Sequence, residues 1–144
     1  MSDTVLEIDS LEVFYGGAQA IHGISLNIRK GELLSLIGSN GAGKSTLFKA
    51  ICGLVQPRHG DIRLKGQSTK GLAPARITER GVAMVPEGRR LFRSLSVEEN
   101  IILGGHVRRP GPWTLAKVYE LFPILKERRH APATSLSGGQ QQMV

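Results

Sequence analysis

One cysteine, one tryptophan, two tyrosines and four histidines are all that 144 residues hold of those types. The lone Cys52 excludes a disulfide within the chain, and its place in a helical stretch gives it a packing role. A reducing cytoplasm suits such a sequence. His22, His59, His106 and His130 are scattered without ligand spacing, so an imidazole-held metal has no support. No apolar run approaches the roughly 20 residues that span a bilayer. Met1-Ser2-Asp3 lacks the basic start and apolar core of a signal peptide. Contact with a membrane is therefore expected only through another protein. Aromatics make up 5% of the chain against a formal charge of +7. With so few rings between them, Arg89, Arg90, Arg93, Arg108, Arg109, Arg128 and Arg129 read as solvated faces, and no nucleic-acid partner is expected. There is no internal repeat and no low-complexity segment. A hydrophobic share of 40% and a charged share of 22% suit one domain or a piece of a larger one.

Glycine, in contrast, is abundant, and its placement carries the chemistry. Gly38-Ser39-Asn40-Gly41-Ala42-Gly43-Lys44-Ser45 fits G-x-x-x-x-G-K-[ST], the loop that wraps nucleotide phosphates. The glycines let successive N–H groups turn inward toward one anion. Lys44 adds a mobile positive charge, Ser45 offers a hydroxyl to magnesium, and the helix that opens here points its positive end at the phosphates. ATP and Mg2+ are the expected ligands, bound by Gly38 through Ser45 with Thr46. Context agrees. Glu32-Leu33-Leu34-Ser35-Leu36-Ile37 reads as a short buried strand entering the loop. Leu47, Ile51 and Leu54 then recur at helical spacing, and Gly53 and Pro57 close the helix.

Further patterns surround this motif. Leu6 with Ile8, Ile24-Leu26-Ile28, and Ile62 with Leu64 read as short strands of an antiparallel layer. Leu11, Val13 and Tyr15 alternate as well. Gly81 through Val85 reads as a buried strand that ends in the turn Pro86-Glu87-Gly88. Beyond Glu87 the pattern turns helical: Ser96 and Glu99 form a capping box, and Leu115, Val118, Tyr119 and Phe122 share one helix face. Pro110-Gly111-Pro112 separates those two helices. Near the end, Ser137 stands at a helix N-terminus, where Gly138 and Gly139 let the backbone approach an anion.

The string Leu136-Ser137-Gly138-Gly139-Gln140, downstream of the phosphate loop, resembles the signature of the ATP-binding cassette (ABC) ATPases. The resemblance covers essentially the whole chain. It implies an α/β phosphate-loop NTPase fold with an antiparallel β layer and a helical subdomain. In these terms residues 1–87 form the nucleotide core and β layer, 88–135 the helical subdomain, and 136–144 the signature and the start of its helix. It implies that residues 136–140 cap the γ-phosphate of ATP held by a second ABC ATPase subunit. Tyr15 stands where the family stacks an aromatic ring on adenine, and it also stands where a half-buried strand would end. Glu87 occupies the place of the family's Q-loop glutamine, where a carboxylate retains the ability to ligate magnesium. Its alternative is a solvated turn.

Val85-Pro86-Glu87-Gly88-Arg89-Arg90-Leu91-Phe92, Ser96-Val97-Glu98-Glu99-Asn100 and Val118 through Pro123 resemble one branch, the ATP-binding subunits of high-affinity branched-chain amino-acid importers. Urea and short-amide importers are close neighbours. Permease subunits are the implied membrane partners, at the cytoplasmic face of the inner membrane. The family's paired acids at the end of an apolar strand, its switch histidine and the remaining strands of its parallel sheet have no counterpart in these residues. The chain is therefore expected to hold ATP without hydrolysing it. Two other readings stay open at this point: a soluble ABC protein of nucleic-acid or translation work, and a truncated product without function.

Overall fold

The computed structural model describes residues 3–107 and 111–144; Arg108, Arg109 and Pro110 lie outside the described residues. The chain divides into two compact units, one running to Met84 and one spanning Val85–Val144.

The first unit is built on an antiparallel sheet of order β2-β1-β3-β4. Strand β1 (Thr4–Tyr15) turns through Gly16-Gly17 into β2 (Ala18–Arg29), and β3 (His59–Leu64) pairs with the other edge of β1 before β4 (Gln67–Ser68). The sequence reads Leu6 with Ile8 and Leu11 with Val13 as separate runs, because the apolar positions change from even to odd. They belong to one strand. An irregularity in the register between Ile8 and Leu11, with Ser10 at φ 46°, shifts the phase by one residue. Leu6, Ile8, Leu11 and Val13 are consequently all buried. The Ser10 N–H, displaced from the ladder, donates to Ser25 Oγ at 2.8 Å.

Helix α1 (Lys44–Ile51) lays Leu47 and Ala50 on this sheet, and Ile77 of the short helix α2 (Pro74–Glu79) joins the same core. Gly53 ends α1 at φ 72°, while the Leu54 N–H reaches back to Lys49 O at 2.8 Å. Leu54 itself is exposed. Cys52 caps the helix C-terminus and is half-buried, and burial pushes its thiol pKa up, as a packing role requires.

Two expected strands do not form. Residues 32–39 and 82–86 belong to no strand and make no ladder, and the antiparallel sheet is the only one among the described residues. Leu33 is 95% exposed and Ile37 90%, with Val85 at 77%. Leu36 and Val82 alone turn partly toward the core. An apolar run becomes a strand only when a neighbouring strand takes its N–H and C=O groups, and none of the strands described here lies beside these runs.

The second unit is helical. Helix α3 (Val97–Gly104) is followed by α4 (Leu115–Leu121), α5 (Pro123–Glu127) and α6 (Gly138–Met143). The apolar face expected from Leu115 to Phe122 breaks at Phe122, where Pro123 starts a new helix. Val118, Tyr119 and Phe122 still pack against Val97, Leu125 and Leu136, whereas Leu115 lies outside that cluster. The Tyr119 hydroxyl donates to Glu98 at 2.6 Å; burial first, then Glu98, pushes its pKa up to about 12.

The capping box on α3 is present. Ser96 Oγ accepts from the Glu99 N–H, and the Ser96 N–H donates to the Glu99 carboxylate at 2.8 Å. The backbone bond from Ser96, then its hydroxyl, holds the Glu99 pKa below the usual glutamate value. A depressed carboxylate contributes stability that is fully present above its unfolded pKa and is lost as pH falls through the folded one. Ser96→Ala is therefore expected to lower the thermal midpoint at neutral pH, with the gap to the unmodified chain closing below the ordinary glutamate range. Thermal denaturation at stepped pH checks this, and a gap that widens in acid would contradict it.

Candidate nucleotide site

The phosphate loop is set by a close approach of two backbones. Gly43 precedes α1 at φ 86°, and a Cβ placed on it would lie 2.6 Å from Ala20 O of β2. Only glycine meets both conditions, since a side chain here would be strained and in collision. Gly41 is left-handed as well, at φ 85°, and the Ala42 N–H closes a turn on Ser39 O at 3.2 Å. Lys44 Nζ bends back across the loop and donates to Gly38 O at 2.8 Å and Ser39 O at 2.7 Å. Its ammonium thus lies over the concave side of the turn.

The donors of this loop differ from those of the neighbouring unit. In α3 the Val97 and Glu98 N–H groups are taken by Ala131 O and Arg129 O, and the Glu99 N–H by Ser96. In α1 the N–H groups of Lys44, Ser45 and Thr46 have no described partner, and no acid lies in the first turn. Unused donors, the positive helix end and an ammonium converge, which suits a polyphosphate. Ser45 is exposed and Thr46 half-buried. A hydroxyl next to a phosphate site suits magnesium, which takes oxygen ligands and keeps waters and phosphates in its shell. Among the described residues no group of three His, Cys, Asp or Glu stands ready to hold a metal by itself. The residues present therefore fit an ion that arrives with its nucleotide.

Tyr15 ends β1 opposite Ala18, is 47% exposed, and shares its hairpin with Ala20 beside Gly43. The structure thus brings Tyr15 to the loop's end of the hairpin, with its ring accessible. The adjacent Phe14 is covered instead by Arg58, whose guanidinium lies 5.1 Å from the ring centre. Asp61 of β3 is engaged structurally. Burial pushes its carboxyl up, but bonds from Ser68 at 2.6 Å and Arg63 at 2.9 Å outweigh that and leave it below the ordinary value.

The remaining site residues fall in the second unit. Glu87 stands in an exposed turn before Gly88, with no described hydrogen bond or ion pair. Leu136 is buried, and Ser137 caps α6 in a reciprocal box with Gln140, at 3.3 Å from its hydroxyl and 2.9 Å to the Gln140 side chain. The Gly139 backbone is open on its Cβ side, whereas Gly138 lies under Arg89, whose Nη2 is 2.6 Å from the position of an added Cβ.

Sequence reasoning found no contact within the fold for two residues here. One is Arg89, whose seat on Gly138 depends on distant parts of the chain. The other is Asn100, 8% exposed, which accepts from the Phe92 N–H at 2.9 Å and reaches Ser96 O at 2.8 Å and Phe92 O at 3.2 Å. A signal for Asn100 existed: an amide stands three residues after Val97 and next to Ile101, on the apolar side of α3.

A glycine-curled loop that opens a helix beside an antiparallel layer defines a phosphate-loop nucleotide-binding fold. The family profile described as ABC transporter matches residues 21–144, and the chain belongs to that family. It is 45% identical over 142 residues to BraG of Pseudomonas aeruginosa, a high-affinity branched-chain amino acid transport ATP-binding protein, covering 97% of this chain and 61% of BraG. BraF of the same organism, of like description, is 37% identical over 106 residues, covering 74% of this chain and 42% of BraF. Among solved structures, an ATP binding subunit of an ABC transporter superposes with a TM-score of 0.80 at 29% identity, over 96% of this chain and 58% of that one. A bacterial ABC transporter cassette solved as a dimer gives 0.78 at 25% identity, over 96% and 66%. The chain thus spans between about two fifths and two thirds of the length of these relatives.

Gly43→Ala should destabilise the first unit by about 1–2 kcal/mol from backbone strain alone, with more from the contact on Ala20 O. Denaturant unfolding measures it. Gly139→Ala, in open space, should cost far less, and equal losses would refute the close approach.

Proposed function

We propose that this chain is the ATP-binding part of a subunit that powers import of branched-chain amino acids through a membrane ABC transporter. The observation that carries the reading is a complete phosphate loop, with free helix donors and Lys44 across its mouth, in a chain so similar to BraG. In this reading Gly38 through Thr46 wrap the triphosphate, Lys44 neutralises the β and γ phosphates, and Ser45 gives its hydroxyl to Mg2+. Tyr15 stacks on the adenine, consistent with its exposed ring at the loop's end of the hairpin. Leu136 through Gln140 serve ATP held by a second ABC ATPase subunit, with Ser137 and the open backbone of Gly139 facing the phosphate. Glu87 couples the nucleotide state to the permease subunits, through which the protein sits at the cytoplasmic face of the inner membrane. Urea and short-amide importers are the second reading; they more often keep glutamine where Glu87 stands, which favours the first.

Hydrolysis asks for more than grip: water must be oriented, and charge developing on the transferred phosphoryl must be met. Asp61 is held by Arg63 and Ser68, Glu98 by Tyr119 and Glu99 by its cap, so none of these acids is free to activate water. We assign that step to the further length found in the relatives.

Lys44→Ala should weaken binding of a fluorescent ATP analogue by about ten- to a hundredfold, the loss of a charge-assisted contact, with circular dichroism unchanged. Undiminished affinity in a folded variant removes the reading. In the assembled transporter in vesicles, Glu87→Ala should reduce transport while ATP binding persists; equal transport would withdraw the coupling role. Phosphate release by purified residues 1–144 should not exceed that of the Lys44→Ala variant. Magnesium-dependent turnover above that control would show a water-activating group among these residues.

A further inference from the structure

The chain holds three asparagines, and the fold restrains two of them. Asn27 lies in β2 opposite Glu7 of the ladder, and Ile28 follows it. Asn100 is 8% exposed within α3, its amide oxygen accepting from the Phe92 N–H and its amide nitrogen donating to Ser96 O, and Ile101 follows it. Asn40 differs in every respect. It is exposed in the turn that the Ala42 N–H closes on Ser39 O, and the residue after it is Gly41. Gly41 is exposed at φ 85°, and a Cβ added there would meet nothing within 4 Å. Neither the Asn40 side chain nor the Gly41 N–H has a described hydrogen bond.

An unrestrained amide side chain before a glycine can react with the main chain. The deprotonated Gly41 nitrogen attacks Cγ of Asn40, an N–Cγ bond forms, and the Cγ–Nδ2 bond breaks. Nδ2 leaves as ammonia, carrying the proton that the Gly41 N–H gave up. Water then opens the cyclic imide at either carbonyl, which leaves aspartate or isoaspartate at position 40. Glycine permits the approach because it lacks a Cβ and moves freely, whereas the β-branched Ile28 and Ile101 crowd it and their backbones are fixed by ladder and helix.

The loop's electrostatics favour the same step. Lys44 Nζ lies on Gly38 O and Ser39 O at 2.8 and 2.7 Å, on the backbone just before Asn40, and α1 points its positive end this way. A field that attracts phosphate also stabilises the amide anion and the oxyanion that forms on Cγ. The product is hostile to the ligand. A carboxylate stands where phosphate would lie, and isoaspartate in addition lengthens the main chain of a loop whose curl depends on its length.

We propose that the Asn40-Gly41 pair is a self-modification site: in the empty loop it deamidates to a carboxylate that ends phosphate binding, and a bound nucleoside triphosphate protects it by taking up the Gly41 N–H. The protection rests on the reading of this loop as an ATP site, whereas the conversion is read without nucleotide, so the two fail separately.

The test incubates the full chain without nucleotide, at neutral and at mildly alkaline pH, and follows its peptides by mass spectrometry. Position 40 should gain the mass change of amide to acid, as a mixture of aspartate and isoaspartate, and faster at the higher pH because the attacking nitrogen must lose its proton. Asn27 and Asn100 should stay intact. Affinity for the fluorescent ATP analogue should be lost in proportion to the converted fraction, with converted molecules binding at least about tenfold more weakly. A non-hydrolysable ATP analogue with Mg2+, at about ten times its Kd, should slow conversion about tenfold, because only the empty fraction reacts. Asn40→Gln, which would have to close a larger and slower ring, should hold its own starting affinity through the same incubation. If circular dichroism shows that variant misfolded, the time course of the unmodified chain decides alone. Position 40 intact in the empty chain would overturn the proposal, as would conversion without loss of affinity or conversion at the same rate with the analogue bound. Equal conversion of all three asparagines would overturn it in favour of reaction from the unfolded chain. An analogue that never binds the fresh chain would overturn the ATP reading and the protection with it.

Discussion

The carbonyl of Ala20 stands where a side chain on Gly43 would have to go, and the nucleotide loop takes its shape from that contact. Ala20 is held by the β1–β2 ladder, and β1 is held in turn by Ile8, Leu11 and Val13 in the core beneath. A shift of one residue in that ladder would move the carbonyl, and the curl of the loop would go with it. The bulge at Ser10 is part of the same dependence. Without its phase shift, one of the two apolar pairs of β1 would face water, and the hairpin would lose half of its anchorage. The chemistry of Lys44 therefore hangs on hydrophobic burial well away from it.

The second unit is specified by polar groups to an unusual degree. Its apolar cluster is small, centred on Val97, Leu125 and Leu136, and the cap of α3, the cap of α6 and the Asn100 clasp complete the arrangement. Such bonds contribute about 1 kcal/mol each in net terms, but leaving a buried partner unmade costs more. They therefore choose one loop geometry over its alternatives more than they add stability. The Asn100 clasp fixes the backbone at Phe92, between Arg90 and Arg93 of the loop that follows Glu87. The helix start of α1 follows the opposite rule. Its donors remain available, because no loop carbonyl reaches them as Ala131 and Arg129 reach those of α3.

Local rules were legible in the sequence wherever the physics is local. The phosphate motif, the Ser96–Glu99 box, the Ser137 cap, the glycine that ends α1 and the alternation in β1, β2 and β3 depend on residues within a few positions of one another, and each is found in the structure. The runs Glu32–Ile37 and Gly81–Val85 show the limit of that reasoning. Their apolar, β-prone composition predicts buried strands, yet Leu33, Ile37 and Val85 stand exposed. Composition states what a segment would do beside a partner, and strand formation needs the partner.

By itself, then, the sequence determined the chemical groups of this protein: a glycine-rich phosphate-loop motif, an ammonium and a hydroxyl at its end, a second glycine-rich motif and membership of a family. These are properties of residue types at fixed spacing, and no fold is needed to state them. Tertiary structure decided the rest. It merged two out-of-phase runs into β1, set Gly43 against Ala20, tied Asp61 to Ser68, closed Asn100 on Phe92 and seated Arg89 on Gly138. Each of those pairs joins groups whose meeting depends on how strands register or how helices turn. A meeting of that kind is fixed by packing across the whole unit, and no window of sequence contains it.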